Sequence, residues 1–294
     1  MTDDADIFET HRPTLLSLAY RMLGDWARAE DAVQEAWVRW QKRDAAVDSP
    51  KAFLLTTVTH LCLDELGSAR ARHEESRSDR LPEPIDLNET GIGRVETIDQ
   101  ISMAFLVLLQ RLTPAERAVL LLHDVFDMSH PEIASLLGKT DAACRQLLAR
   151  ARENIAVEKR ALQTPPEEHR RMLLAFVHAV NEGKQEELVD LLAEDAVLIA
   201  DAGAGGVRYG RLRNVNRPVV GRSRIAALMK AFASQDVSPP LEMQERTLNG
   251  EPAIVAFQGG RALAAVLVSV ADGRIRHVFI QIDTDRLRHV GSVH

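Results

Sequence analysis

Ser129-His-Pro-Glu-Ile-Ala-Ser-Leu-Leu-Gly-Lys-Thr-Asp-Ala-Ala-Cys-Arg-Gln-Leu-Leu-Ala-Arg150 decides how the helical part of this chain is read. Ser129 to Leu137 has the pattern of a short helix, Gly138-Lys-Thr140 that of a three-residue turn, and Asp141 to about Asn154 that of a second helix. Helix, glycine-containing turn, helix is the order of a helix-turn-helix. Ile133, Leu136 and Leu137 can pack against Cys144, Leu147, Leu148 and Ala151, which leaves Ala142, Arg145, Gln146, Ala149 and Arg150 facing outward. Small residues beside Arg and Gln suit entry into a major groove, where Arg pairs with guanine and Gln with adenine in bidentate fashion. Thr140, Arg145, Gln146, Arg150 and Arg152 are the candidate DNA contacts, with Lys159 and Arg160 available for phosphates. A tri-helical turn can equally be structural, so this segment alone leaves both readings open. Upstream, Leu112-Thr-Pro-Ala-Glu116 opens the preceding helix with a capping residue, a first-turn proline and a carboxylate at the positive helix end.

Farther toward the N-terminus lies Arg28-Ala-Glu-Asp-Ala-Val-Gln-Glu-Ala-Trp-Val-Arg-Trp40. A step of 100° per residue puts Ala29, Val33, Ala36, Trp37 and Trp40 on one side and Asp31, Gln34, Glu35 and Val38 on the other. The acidic side is either a solvated face or a docking surface for a basic partner helix. Asp48-Ser49-Pro50 then starts a helix over about Lys51–Leu66, a capping residue followed by proline. Leu54, Val58, Leu61 and Cys62 share its apolar face, while Phe53, Thr57, His60 and Asp64 line the opposite one, and Arg70 and Arg72 follow. An exposed aromatic beside hydroxyls and basic groups can stack on and hold an unpaired base; the bland alternative packs Phe53 on a neighbouring helix. All three tryptophans fall within the first 40 residues, so the opening segment carries its own aromatic core.

The remaining chain changes character twice. Asp79-Arg-Leu-Pro-Glu-Pro84, running on to Gly93, divides the helical part into two bundles, and Thr164-Pro-Pro166 is the strongest domain boundary. Beyond it, helical pattern over 167–192 and 222–234 alternates with strand candidates near 195–201, 206–213, 241–248, 252–258, 261–270 and 274–282, an α+β segment. Gly259-Gly260 and Asp272-Gly273 suit hairpin turns that need positive φ, so the last three or four strands read as an antiparallel meander.

Composition narrows the classes. The 294 residues suggest about two domains. With 46% apolar and 27% charged residues, 16 Gly and 12 Pro, the chain is neither disordered nor fibrous. A formal net charge of −7 argues against coating nucleic acid through bulk positive charge, and leaves room for local basic patches. No run approaches the roughly 18 apolar residues of a membrane helix, the start Met1-Thr-Asp-Asp-Ala-Asp6 is acidic, and Cys62 and Cys144 are too few for a disulfide framework or a zinc site. The expectation is a cytoplasmic protein with no membrane contact, no metal and no cofactor.

Taken together, the first 160 residues resemble the extracytoplasmic-function sigma factors of bacterial RNA polymerase. Ala29 to Trp37 resembles the family's polymerase-docking helix, which implies that Asp31, Gln34, Glu35 and Val38 meet core RNA polymerase. The resemblance further implies that Ser49, Lys51, Phe53, Thr57, His60, Arg70 and Arg72 read and open the minus-ten element of promoter DNA, capturing a flipped base. Thr113-Pro-Ala-Glu-Arg117 through Ala143-Cys-Arg-Gln146 resembles the domain that reads the minus-thirty-five element. Leu81-Pro82-Glu83-Pro84 is similar to the linker of a subgroup with a fused SnoaL-like domain. Asp201-Ala-Gly-Ala-Gly-Gly206 and Asp283-Thr-Asp-Arg-Leu287 resemble altered forms of that subgroup's Gly-rich loop and of its Asn-Pro-Asp-Lys-Leu.

The implied fold is multidomain. Two all-α bundles, the second with the helix-turn-helix, precede an α+β SnoaL-like curved-sheet domain. The implied segments are a region-two bundle over 1–78, a linker over 79–95, a region-four helix-turn-helix over 96–162, and the regulatory domain over 167–294. Leu81, Pro82, Glu83, Pro84, Asp201, Gly203, Gly205, Gly206, Arg208, Asp285 and Leu287 form the expected regulatory set, through which the C-terminal domain contacts the sigma domains. Between Ala202 and Gln235 seven basic residues stand without an acidic one, either a solvated hairpin or a strip that docks on acidic surface or nucleic acid. Relatives of this architecture enclose an apolar pocket and some use an Asp or His base. Asp201, His178 and His277 are the candidates, yet no pairing in the sequence favours catalysis, so a vestigial pocket or a small-ligand sensor is expected ahead of an enzyme. The alternative function is a DNA-binding regulator, or a SnoaL-like isomerase or hydrolase tethered to DNA-binding helices.

Overall fold

The computed structural model describes residues 4–43, 47–68, 80–90, 92, 101–159, 164–203, 217–234 and 241–291, and for 156–159 the backbone alone. These residues form two compact units: one drawn from Met1–Arg77, Gly91–Gln100 and Leu108–Val157, the other from Ser78–Thr90, Ile101–Val107 and Glu158–His294.

The first unit opens with α1 (Asp4–Leu23), α2 (Trp26–Gln41) and α3 (Pro50–Gly67). The Asp25 side chain accepts from the Arg28 amide, and the Ser49 hydroxyl accepts from the Ala52 amide with Pro50 at the first helical position, so orphan donors are satisfied at both starts. Tyr20, Trp26, Val33, Trp40, Leu54, Val58 and Cys62 form the buried interior. Burial pushes the Cys62 thiol up to about 12, which keeps it protonated and unreactive. Trp37 and Leu61, expected on the buried sides, are only partly covered. Trp37 lies at the margin of the apolar stripe, its ring 4.8 Å from that of Phe8.

Along the chain come next α4 (Leu87–Thr90) and the start of α5 (Met103–Gln110), which belong to the second unit, and then α6 (Pro114–Asp124), α7 (His130–Leu137) and α8 (Asp141–Lys159). Capping boxes built from Thr113 with Glu116 and Ser129 with Glu132 start α6 and α7. Gly138 closes α7 with φ +60°, a left-handed conformation that an L side chain rarely adopts. Ile133 and Leu136 of α7 and Cys144, Leu148 and Ala151 of α8 are buried, and Leu137 and Leu147 are partly so. α6 packs on α1 and α3 within the first unit. The buried Arg117 guanidinium donates from Nε to the Leu109 carbonyl at 2.9 Å and from Nη1 to the Met22 carbonyl.

The second unit is a six-stranded sheet in the order β2-β1-β6-β5-β4-β3, carrying α9 (Pro166–Asn181), α10 (Gln185–Leu191) and α11 (Arg222–Ala233). Its strands are β1 (Leu192–Asp201), β2 (Val219–Val220), β3 (Glu242–Leu248), β4 (Glu251–Gln258), β5 (Arg261–Ala271) and β6 (Arg274–Gln281). β1 and β6 run parallel and the other pairs antiparallel. The expected meander spans β3 to β6, with positive φ at Gly259, Gly260, Asp272 and Gly273. The strand expected near 206–213 lies outside the described residues. Register shifts at Leu192/Val197, Ala256/Phe257 and Ser269/Val270 bend the sheet. One face buries Met172, Leu173, Phe176, Leu188, Ile225 and Met229 of the helices. The other face is covered by Leu81, Met103, Ala104, Leu287 and Val290.

Candidate nucleic-acid interface and linker clasp

On α2, Asp31, Gln34 and Glu35 stand in solvent and Val38 is partly covered. The Arg39 guanidinium pairs with Glu35 one turn away at 3.1 Å. At the end of α2, Arg43 lies over the Trp40 ring at 3.6 Å and donates to the Trp40 carbonyl and to Asp4. This stacking anchors the chain where it leaves α2 toward α3, and the Arg43 hydrogen bond holds the Asp4 carboxyl below the usual range.

On α3, Ser49 and Lys51 are exposed. Phe53 is half-covered, 5.7 Å from the Trp40 ring, which is the packing alternative. Thr57 departs from the outward position expected of it: it is buried, and its hydroxyl donates to the Phe53 carbonyl at 2.9 Å. The physical cause is back-bonding of a mid-helix hydroxyl to the preceding turn. His60 Nε2 lies 2.7 Å from the Leu136 carbonyl near the end of α7. A carbonyl only accepts, so Nε2 carries the proton. Arg70 and Arg72 lie outside the described residues.

The helix-turn-helix presents Thr140, Ala142, Arg145, Gln146, Ala149 and Arg150 to solvent. Arg145 pairs with Asp141 on the preceding turn, which holds the guanidinium along the N-terminal part of α8. Arg152 is exposed but reaches Asp124 at 2.5 Å, and that hydrogen bond raises its pKa. Its first role in this arrangement is to tie α8 to the end of α6. A phosphate would have to compete with that carboxylate.

The segment Leu81-Pro82-Glu83-Pro84-Ile85 is buried at all five positions without being helical or part of the sheet. Its backbone is held by long-range partners. The Leu81 amide donates to Asp201 Oδ2 at 3.1 Å, and its carbonyl accepts from Arg286 Nη1 at 2.7 Å. The Ile85 amide donates to Asn249 Oδ1 at 3.2 Å and its carbonyl accepts from the Asn249 amide at 2.8 Å. Glu83, a buried carboxylate, meets His289 Nδ1 at 2.8 Å, and the His289 carbonyl accepts from the Asp86 amide at 2.7 Å. The other Asp201 oxygen accepts from Gly203 at 2.9 Å. Gly203 has φ +71°, and a Cβ there would sit 2.5 Å from Asp283 Oδ2, so only glycine fits this close approach. Leu287 is buried in the same apolar cluster and Asp285 is exposed. Gly205, Gly206 and Arg208 lie outside the described residues.

Comparison with known proteins gives this geometry its context. Residues 7–72 match the family described as Sigma-70 region 2, and residues 102–155 match Sigma-70, region 4. The chain is 33% identical over 289 residues to the probable ECF RNA polymerase sigma factor SigI of Mycobacterium tuberculosis, covering 96% of this chain and 94% of that one. The chain belongs to the extracytoplasmic-function sigma factors. It is also 32% identical to the ECF RNA polymerase sigma factor SigJ of the same species, over 91% of this chain and 88% of the relative. The crystal structure of M. tuberculosis SigJ superposes with a TM-score of 0.71 at 28% identity, covering 95% of this chain and 96% of that one. The sigma factor therefore directs core RNA polymerase to promoter DNA, with a six-stranded α+β domain following its two sigma-region segments. Among the described residues no helix is long and apolar enough to cross a membrane.

Several contacts of this sigma factor had no warning in the residue pattern. Arg286 lies inside the Asp283–Leu287 motif, whose resemblance points to Asp285 and Leu287 alone. Asn249 occupies a tight turn at φ +54°, so its turn-forming role hides its second one as a partner of Ile85. His289 and Glu251, whose Oε2 accepts from the Met103 amide at 3.0 Å, sit at positions with no motif at all.

Proposed function

We propose that the sigma factor docks on core polymerase through Asp31, Gln34, Glu35 and Val38. Ser49, Lys51, Phe53 and His60 of α3 then serve the minus-ten element, and Thr140, Arg145, Gln146 and Arg150 the minus-thirty-five element. The SnoaL-like domain regulates this activity in cis through its hold on the linker and performs no chemistry. Asp201, the acid best placed for a catalytic role, has one oxygen on the Leu81 amide and the other on the Gly203 amide. His277 Nδ1 lies 2.9 Å from the Ser269 hydroxyl, and His178 is exposed beside Glu182.

The observation that carries a closed resting state of the helical unit is the contact of His60 with the Leu136 carbonyl at 2.7 Å. Promoter elements about 25 base pairs apart are separated by roughly 85 Å of duplex at 3.4 Å per pair. α3 and α7 cannot touch and also lie on their separate elements, so the compact arrangement is a resting state that must open, a shift between two populations. Core binding tests the docking half: Asp31→Lys with Glu35→Lys should weaken association with core polymerase at least tenfold, and unchanged association would contradict it. His60→Ala tests the resting state. It should increase the radius of gyration of the DNA-free full chain in solution scattering, and an unchanged value would contradict the resting state.

A further inference from the structure

Three arginines of α8 are held in three different ways. Arg152 is tied to Asp124 at the end of α6. Arg150 stands exposed and has no ion pair among the described residues. Arg145 pairs with Asp141 one turn earlier, its Nη2 donating to Asp141 Oδ2. The arginine side chain keeps 64% of its surface and the aspartate 36%, so the carboxylate is the sunken partner and the guanidinium the one that reaches outward. Asp141 Oδ1 is buried and takes no hydrogen bond among the described residues, which seats the carboxylate against the protein. The backbone beneath it is fixed as well, because Thr140 Oγ1 accepts from the Ala143 amide at 3.2 Å and caps the helix start. A carboxylate in the first turn also lies where the helix dipole favours negative charge.

A guanidinium carries five N–H donors in a rigid plane. One contact to Asp141 fixes that plane and leaves donors enough to meet O6 and N7 of a guanine. As an exposed i, i+4 pair the contact contributes little to folding. Its effect on recognition is larger, since a long side chain gives up rotamer freedom when it pairs with a base edge, and one already held gives up less. We propose that Asp141 is a positioning residue of the minus-thirty-five reader: it stays on Arg145 in the promoter complex and aims the guanidinium at a guanine. This rests on the assignment of α8 to that element given above. Asp141 touches no base in this arrangement, and its charge is repelled by phosphates. It therefore raises selectivity while lowering overall affinity for DNA.

The test is selection from promoters randomised across the minus-thirty-five element, by core polymerase carrying the full chain. Arg145→Ala should abolish a guanine preference at one position. Asp141→Ala should reduce the preference at that same position about threefold to tenfold, while binding to an unrelated duplex tightens. Asp141→Glu, which can still reach across one turn, should restore most of the preference. Arg150→Ala should weaken all library members alike and lower the salt slope of binding by about one. A merely structural role for Asp141 would lower the unfolding temperature and leave the base preference where it was. Preference unchanged by Asp141→Ala but altered by Arg145→Ala overturns the inference and leaves the reading of α8 standing; preference unchanged by Arg145→Ala removes both. Should Asp141→Ala not fold, Asp141→Ser keeps a polar first-turn residue and is read at the same position by the same criteria.

Discussion

The outer face of α8 and the segment Leu81–Ile85 are treated in opposite ways by the same fold. On α8, Arg145, Gln146 and Arg150 stand in solvent on a helix that keeps its own backbone satisfied. Along Leu81–Ile85 a short segment with a carboxylate is fully covered, and its amides and carbonyls depend on residues more than a hundred positions away. In the proposed function the first reads DNA, which needs free side chains on a rigid backbone. The second regulates, which needs a backbone whose partners can be withdrawn. Damage to the first should therefore appear in DNA binding with stability intact, and damage to the second in stability and regulation with DNA contacts intact.

The largest effect expected from breaking this contrast is that of Leu81→Asp, which puts an unpaired carboxylate into the apolar face and should cost at least about 3 kcal/mol. Urea unfolding followed by tryptophan-independent signals of the second unit, such as circular dichroism of its strands, would register it. Gly203→Ala should cost about 1–3 kcal/mol through positive φ and the approach to Asp283. Its mark would be faster exchange at the Leu81 amide than at helix amides of α2.

Arg145→Ala sharpens the other side of the comparison. It should weaken promoter binding by about 1–3 kcal/mol at one base position while moving unfolding by under about 0.5 kcal/mol. Equal losses in both assays would mean that the face of α8 is structural.

The smallest effect concerns pH. Burial lowers the pKa of His169, whose Nε2 donates to the Val268 carbonyl at 2.8 Å. The folded state therefore binds its proton less readily than the unfolded chain. Stability is complete above the ordinary histidine range near 6.5 and falls as pH drops below it, until the folded pKa is passed. Thermal unfolding of the second unit should show this acid loss, and His169→Gln should flatten it.

Much of this architecture is legible from local pattern. The helix-turn-helix declares itself through the spacing of Ile133, Leu136, Cys144 and Leu148 and through Gly138, because helix periodicity and a left-handed stop are properties of a few neighbouring residues. The meander is legible for the same reason, from turn glycines between apolar runs. Thr57 escapes such a pattern because the 100° projection places a hydroxyl without showing that it can turn back to the Phe53 carbonyl. The clasp was legible only through motif resemblance at Leu81–Pro84 and Asp201. Its other half, Arg286, Asn249 and His289, makes side-chain and backbone hydrogen bonds across 164 to 206 positions, and no window of sequence carries such a signal.

The measurement that bears most directly on the account is run-off transcription by core polymerase supplied with the wild-type chain or with the full chain carrying Arg286→Ala and Asn249→Ala. Both substitutions lie in the clasp and outside every residue assigned to polymerase or DNA. Wild type and variant should bind core equally and differ in promoter output by several-fold. Equal output at equal core binding would contradict the account.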